Sequence, residues 1–212
     1  MNPKPDKNIE QNKLEAHLKI DKYGDFVLTD AIRPSLEVAI EPIEGYKHDQ
    51  YKDTEDNSSI PVLMCSISKE RLFDIFIEFI DILGDIVDVV LETSHDAKRR
   101  EHDDLYREHI DLPVLKSYLY QYEDMIFNDG CMGIAVLNPD IPAEIQFDEH
   151  KLLIVYGENL QPFEKVLSQH NIPLNEDLRF LTEAEHVHTS QGDFIDQFRA
   201  LQSLLGMDHN YE

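Results

Sequence analysis

The spacing of apolar residues predicts one long amphipathic helix near the middle of the chain. Between residues 69 and 83, apolar side chains recur every three or four positions, which is the period of one helical face. Ser68 precedes this stretch as a candidate cap, and Gly84 follows it as a stop signal. Phe73 and Ile77 widen the apolar face beyond what one sheet needs to cover. The remaining members of the face are Leu72, Ile75, Phe76, Phe79, Ile80 and Leu83.

Short apolar runs on both sides of this helix predict β-strands. In residues 36–40 apolar and polar positions alternate, as in a strand with one solvated face. A continuous apolar run follows at 61–67. Between them, the polar residues 44–59 predict an exposed loop. The predicted strands of this half are 26–32, 36–40, 61–67 and 85–92.

A similar order of patterns follows in the second half. The charge-dense residues 96–110 predict a solvated helix or a linker. Asp111 then precedes a helix that begins at Leu112–Pro113 and stops before Gly130. The elements predicted after it are strands at 131–137, 144–147, 152–156 and 177–186, a helix at 160–170, and a last helix capped by Thr189 or Ser190 and ended by Gly206.

The two halves predict an α+β fold built from two tandem β-β-β-α-β units with flanking helices. We interpret the units as a duplication, with a mixed or antiparallel sheet covered by helices. The distance from Pro34 to His95 is 61 residues, and from Pro142 to His186 it is 44. Without the 16-residue loop the first distance becomes 45, close to the second. The alternative is one α+β sheet with unrelated halves.

The same pattern sets the expected domain boundaries. The polar residues 1–13 form a flexible N-terminus, and residues 208–212 form a tail. The first unit spans 14–110 and contains the polar loop at 44–59. The second unit spans 111–207.

The net charge of the chain limits the classes of molecule that it is expected to bind. The chain of 212 residues has 43 acidic and 19 basic residues, a net charge of −24. This charge repels nucleic acids and anionic membranes, and it attracts basic proteins. Solubility alone is the alternative explanation. We therefore expect no nucleic acid and no membrane partner, but a protein partner that is either basic or a second copy in a homodimer.

Cys65 and Cys131, the only two cysteines, fall in strand-like apolar runs. Two buried thiols favour a reducing compartment, and the polar N-terminus does not resemble a secretion signal. We therefore expect the protein in the cytoplasm. Cys131 follows Asp129–Gly130, but no histidine is placed beside it by sequence, so a strand-core cysteine is expected before a nucleophile.

The densest group of chemically active residues lies at 182–189. If this segment is extended, His186 and His188 point to the same face. Two imidazoles at this spacing can share a divalent metal such as zinc. His95 is the predicted third ligand if the two units pack with pseudo-symmetry. Glu92, Glu149 and His150 are further candidates.

Two classes of function remain. We favour a non-catalytic protein-binding or regulatory module, because phosphate-loop, dinucleotide-loop and nucleophile-elbow motifs are absent from the sequence. The alternative is a metal-dependent, hydrolase-like enzyme using His186 and His188, with Glu183 or Glu92 as general base. Against it, the chain has three E-x-x-H spacings (Glu92–His95, Glu183–His186 and Glu185–His188), a slight excess over the one or so that its composition alone predicts. A histidine at a strand end is also often a purely structural residue.

Overall fold

The computed structural model describes residues 13–52, 59–95 and 103–207. It confirms the α+β class: a seven-stranded antiparallel sheet is flanked by helices and accompanied by two small two-stranded sheets. Within the described residues, no helix is both long and apolar enough to cross a membrane.

The large sheet has the strand order β4-β5-β10-β9-β8-β6-β7. The small sheets pair β1 with β2 and β11 with β3. The strands are β1 Lys22–Tyr23, β2 Phe26–Val27, β3 Ile32–Pro34, β4 Gly45–Lys52, β5 Ser59–Ser66, β6 Ile86–Thr93, β7 Asp103–Asp111, β8 Met132–Leu137, β9 Ala143–Phe147, β10 Leu153–Gly157 and β11 His186–His188.

The helices form where the apolar periodicity predicts them. They are α1 Lys69–Asp81, α2 Leu112–Gln121, α3 Glu123–Asn128, α4 Gln161–Gln169 and α5 Phe194–Leu204, with a 3-10 turn at Leu181–Glu183. Ser68 stands at the N-terminus of α1, but its hydroxyl accepts a hydrogen bond from the Val27 amide and not from the helix. Gly84 adopts a φ of 98° just beyond α1, as expected of a stop signal.

Helix α1 is the centre of the main core. The Phe76 and Phe79 side chains are fully buried. The Phe76 ring packs on Phe147 of β9, and the Phe79 ring packs on Phe163 of α4, at centroid distances of 5.1 and 5.3 Å. Burial of such large apolar surfaces is the main stabilising contribution, and truncation of one of these rings to alanine costs about 3–5 kcal/mol.

The two predicted units contribute to the same sheet. Strands β8, β9 and β10 of the second half lie between β5 and β6 of the first half. This interleaving does not confirm the duplication, and the boundary at residues 110 and 111 remains a prediction. One continuous sheet was the alternative left open by the sequence.

Two predictions in the first half are wrong. Residues 36–40 are not a strand, and the side chains of Leu36 and Val38 are exposed. The predicted loop at 44–59 contains the edge strand β4 and the start of β5. An edge strand can be polar because one side of it faces solvent, and this is why its composition resembles that of a loop.

Two further predictions need correction. Residues 103–110 belong to the other edge strand, β7, and not to a solvated helix or linker. Of the predicted strand at 177–186 only the last residue, His186, belongs to a strand, and that strand continues to His188. The predicted flexible N-terminus, apart from Lys13, lies outside the described residues, and so does the predicted tail. Residues 53–58 and 96–102 also lie outside them.

Strand register brings several chain segments to one end of the sheet. Thr93 at the end of β6 pairs with Met132 at the start of β8. Phe147 at the end of β9 pairs with Leu153 at the start of β10. The segments that follow or precede these strands carry His95, Asp129, Cys131 and His150, so they meet at this end of the sheet.

Candidate metal centre

Three histidines converge at this end of the sheet. One ring nitrogen each from His150, His186 and His188 lies within 4.8 Å of those of the other two. The three ring centroids form a near-regular triangle with sides of 5.1, 4.7 and 5.1 Å. All three residues are half-buried, so solvent can reach them. Such a cluster of nitrogen donors is the usual ligand set for a divalent transition metal.

The other ring nitrogen of each histidine is already held by an oxygen. His186 Nδ1 donates to the Ala184 carbonyl at 2.7 Å, and His188 Nδ1 donates to the Gly130 carbonyl at 2.7 Å. His150 Nδ1 donates to Asp148 Oδ2 at 2.8 Å. Because a carbonyl or carboxylate oxygen only accepts, Nδ1 carries the proton in each ring and Nε2 keeps its lone pair. This is the tautomer in which a histidine binds a metal through Nε2.

His150 is positioned by a tight turn between β9 and β10. Asp148 stabilises the turn twice, since its Oδ1 accepts the Leu152 amide and its Oδ2 holds the His150 ring. Burial favours the neutral ring of His150, but the hydrogen bond and negative charge of Asp148 outweigh it and raise the pKa of His150. Lys151, the next residue, has a left-handed φ of 63° that bends the chain back towards β10.

His188 is positioned by the contact between the small sheet β3–β11 and Gly130. Gly130 donates its amide to the Thr189 carbonyl at 2.8 Å, and its carbonyl holds His188. A β-carbon at position 130 would lie 2.3 Å from the Ala31 carbonyl oxygen, so only glycine allows this approach. The close approach therefore fixes β11 against the end of the large sheet.

A second ligand group lies on the other side of Gly130. One ligand atom each from His95, Asp129 and Cys131 lies within 4.8 Å of the others. Asp129 is fully buried and accepts from His95 Nε2 at 2.7 Å and from the Cys131 amide at 3.0 Å. Burial alone would raise the pKa of Asp129, but these hydrogen bonds outweigh it and lower that pKa. Burial and the charge of Asp129 raise the pKa of the Cys131 thiol.

Lys151 is a buried cation beside both groups. Its ammonium donates to the Met132 carbonyl at 2.9 Å, and burial lowers its pKa to about 8. Lys151 also lines a cavity of about 30 Å³, whose walls combine apolar residues with the polar residues Thr29, Ser66, His150, Arg179 and Thr182. Among the described residues, the Thr29 hydroxyl has no hydrogen-bond partner. The cavity has room for about one water molecule, which would satisfy this hydroxyl.

The structure brings together part of the predicted site. The rings of His186 and His188 lie together, and the third ring in their group is that of His150 and not that of His95, which belongs to the second group. Glu183 accepts from the Phe180 amide at 2.9 Å and pairs with Arg179, so its carboxylate is held by the 3-10 turn. Glu92 lies in β6 opposite Gly133 of β8.

Three residues of the site were given no role by sequence reasoning. Asp148 lies two positions before His150, a spacing at which an aspartate holds a turn, and this signal could have been used. Asp129 lies two positions before Cys131 and Lys151 directly follows His150, but their proximity to ligands on other segments depends on pairing between distant strands.

Together the three rings present three nitrogen donors to one point. A tetrahedral metal with bonds of about 2.0–2.1 Å needs its nitrogens about 3.3 Å apart, so the rings must close by less than about 1.5 Å. Three protein ligands leave one coordination position for water or substrate. In the comparisons with known proteins, no family model, no curated protein and no solved structure matches the chain.

Proposed function

We propose that the chain binds a divalent transition metal, with zinc as the best match, through His150, His186 and His188. The observation that carries this proposal is the convergence of the three rings, since one nitrogen of each lies within 4.8 Å of those of the other two. Each Nδ1 is held by an oxygen, which leaves the Nε2 of the neutral ring for a metal. Imidazole nitrogen is a good ligand for zinc, copper, iron and nickel and a poor one for magnesium and calcium. The proposal therefore excludes the last two metals as physiological occupants.

We further propose that the bound metal serves a hydrolytic reaction. A site with three protein ligands and one free position is typical of catalytic zinc, whereas structural zinc is usually bound by four protein ligands. Such a metal lowers the pKa of water and polarises a carbonyl or phosphoryl oxygen. The half-buried rings leave the fourth position open to solvent, which supports this role.

Metal analysis of protein purified without an affinity tag tests the binding proposal. We expect bound zinc in the wild type and the loss of one zinc per chain in His186→Ala/His188→Ala and in His150→Ala. The matched control is His170→Ala. His170 lies at the end of α4, and its ring contacts the Glu78 carboxylate. Metal-free wild-type protein that also fails to bind added zinc would overturn the proposal.

Hydrolysis of activated esters and phosphoesters tests the catalytic proposal. The zinc-loaded wild type should release p-nitrophenol from one of these substrate classes, and His150→Ala should abolish the rate. If fully loaded protein hydrolyses neither class, the catalytic proposal fails while metal binding stands.

A second proposal, association with a protein partner, rests on different observations. The side chains of Leu36, Val38 and Ile43 are exposed in the irregular segment between β3 and β4, and the chain carries a net charge of −24. A basic protein or a second copy of the chain could cover them. If the partner is a second copy, light scattering would show a dimer, and Leu36→Ser/Val38→Ser should dissociate it. If the partner is a basic protein, the chain should capture basic proteins, and this capture should weaken as the salt concentration rises.

The cytoplasmic location also remains a proposal. Both cysteines are free thiols, with Cys65 buried and Cys131 half-buried. Free thiols are the usual state in a reducing compartment, which supports the cytoplasm. Cell fractionation of the native host would test it.

A further inference from the structure

We propose that His95, Asp129 and Cys131 form a second metal site, specific for a thiophilic divalent cation of the zinc class. The proposal is independent of the three-histidine site, because it uses different ligands and a different kind of donor atom. Its first basis is geometric: a nitrogen, an oxygen and a sulfur ligand atom lie within 4.8 Å of one another.

The fold holds these three residues together firmly. His95 follows β6, Cys131 precedes β8, and these strands pair directly, with Thr93 opposite Met132. The Ser94 amide donates to the Cys131 carbonyl at 2.9 Å, which extends the pairing to the ligands themselves. Asp129 is placed by the end of α3, where its amide donates to the Met125 carbonyl. A pre-positioned ligand set reduces the entropy that metal binding must overcome.

The charge state of the group favours a cation. Asp129 is fully buried, and a buried carboxylate needs a cationic partner. In this structure the His95 ring holds this carboxylate by a hydrogen bond, with Nε2 at 2.7 Å from Oδ2. A divalent metal would take the place of the proton on His95 Nε2, and the neutral ring would then carry its proton on Nδ1. The nitrogen and oxygen would move apart by about 0.5 Å to allow bonds of about 2.0 Å to each. Asp129 Oδ1 would keep its bond from the Cys131 amide.

The surroundings of the Cys131 thiol favour a role as a metal ligand over a role as a nucleophile. A cysteine nucleophile needs a stabilised thiolate, but a carboxylate oxygen of Asp129 lies within 4.8 Å of the Cys131 sulfur and opposes a second negative charge. A divalent cation reverses this balance, since a coordinating thiol loses its proton to the solvent as the metal–sulfur bond forms. Soft sulfur together with imidazole selects zinc-class metals over magnesium and calcium.

Cobalt(II) titration of chelator-treated protein tests the second site directly. A cobalt–thiolate bond gives an intense charge-transfer absorption in the near ultraviolet that nitrogen and oxygen ligands do not give. We expect this band in the wild type and in His186→Ala/His188→Ala, and its loss in Cys131→Ser and His95→Ala. The matched control is Cys65→Ala, which removes the other thiol, buried within β5, and should leave the band intact.

Alkylation of the unmodified protein provides a test that needs no variant. Zinc should protect Cys131 from iodoacetamide, as measured by peptide mass spectrometry on the native chain. A wild type with no charge-transfer band and no protection by zinc would overturn the proposal, as would a band that persists in Cys131→Ser. If the band appears but only one metal binds per chain, this site is supported and the three-histidine site is overturned. The failure of one proposal can therefore be distinguished from the failure of the other.

Discussion

At the scale of single residues, Asp148 is the group that orients His150. Replacement by asparagine keeps an oxygen for the Leu152 amide but removes the carboxylate that holds the His150 ring. Loss of such an orienting partner typically weakens metal binding about 10–100-fold. We expect Asp148→Asn to reduce zinc affinity by this factor, measured by competition with a chromophoric chelator.

The control for this variant is Asp140→Asn. Asp140 lies in the exposed turn between β8 and β9, so its replacement removes the same charge away from the site. Its zinc affinity should equal that of the wild type. Equal affinities of the Asp148→Asn variant and the wild type would show that Asp148 does not position His150.

Gly130 is the second residue on which the candidate site depends. Gly130→Ala would place a β-carbon against the backbone oxygens of Ala31 and Thr189, at 2.3 and 2.9 Å. Backbone cannot yield as a flexible side chain can, so we expect a loss of about 1–3 kcal/mol in the free energy of unfolding. Denaturant titration would measure it.

The chain offers a matched control at Gly192. A β-carbon at that position meets no atom within 4 Å, so Gly192→Ala should leave the free energy of unfolding nearly unchanged. Similar losses in both variants would contradict the role of close approach at Gly130.

The residue scale also shows what sequence could predict of the candidate site. His186 and His188 were found because residues two apart on a strand share a face. His95 was assigned to them on the assumption of pseudo-symmetry, whereas His150 takes that place through the turn after β9. Asp129 meets His95 only because β6 pairs with β8, and no local pattern contains that pairing.

At the scale of elements, helices were predictable and edge strands were not. Helix α1 buries one face, so its apolar period appears in the sequence. Strand β4 has five exposed residues among eight, and the apolar alternation of a half-buried strand is missing from it. Its pairing with β5 is set by backbone hydrogen bonds, which leave no compositional signal.

Edge strand β4 is attached to its surroundings by His48. The ring lies between two carboxylates, with Nδ1 at 2.7 Å from Glu176 and Nε2 at 2.7 Å from Glu164 of α4. The hydrogen bonds to Glu176 and Glu164 raise the pKa of His48 above its ordinary value. A raised folded-state pKa stabilises the fold below the unfolded-state pKa of about 6.5, and this stabilisation is lost as pH rises through the folded-state value.

We therefore expect His48→Gln to be less stable than the wild type at about pH 5.5 and to approach it at about pH 9. The difference should be small, because the ion pairs are exposed and screened by solvent. Urea titrations at both pH values would measure it. In a His48→Gln background, the further change Glu164→Gln/Glu176→Gln should not lower the free energy of unfolding more at the lower pH than at the higher pH. A larger decrease at the lower pH would contradict the assignment of the pH dependence to His48.

At the scale of the whole molecule, the net charge links folding to cation binding. The excess of 24 negative charges on 212 residues makes the compact state repel itself. The same field raises the local concentration of divalent cations around the end of the sheet where both ligand groups lie. Charge therefore disfavours the metal-free fold and would favour the metal complexes that we propose.

This balance predicts the response of the metal-free protein to salt. Sodium chloride screens charges beyond about 10 Å at 0.1 M, so repulsion weakens and the unfolding temperature should rise with salt. Glu37, Glu108 and Glu158 are exposed, and their joint replacement by glutamine should raise the unfolding temperature at low salt and reduce its rise with salt. Differential scanning calorimetry with a chelator present would measure both. A wild type whose unfolding temperature falls with salt would mean that local ion pairs outweigh the net repulsion, and the electrostatic attraction of cations to the two ligand groups would then have to come from Asp129 and Asp148 alone.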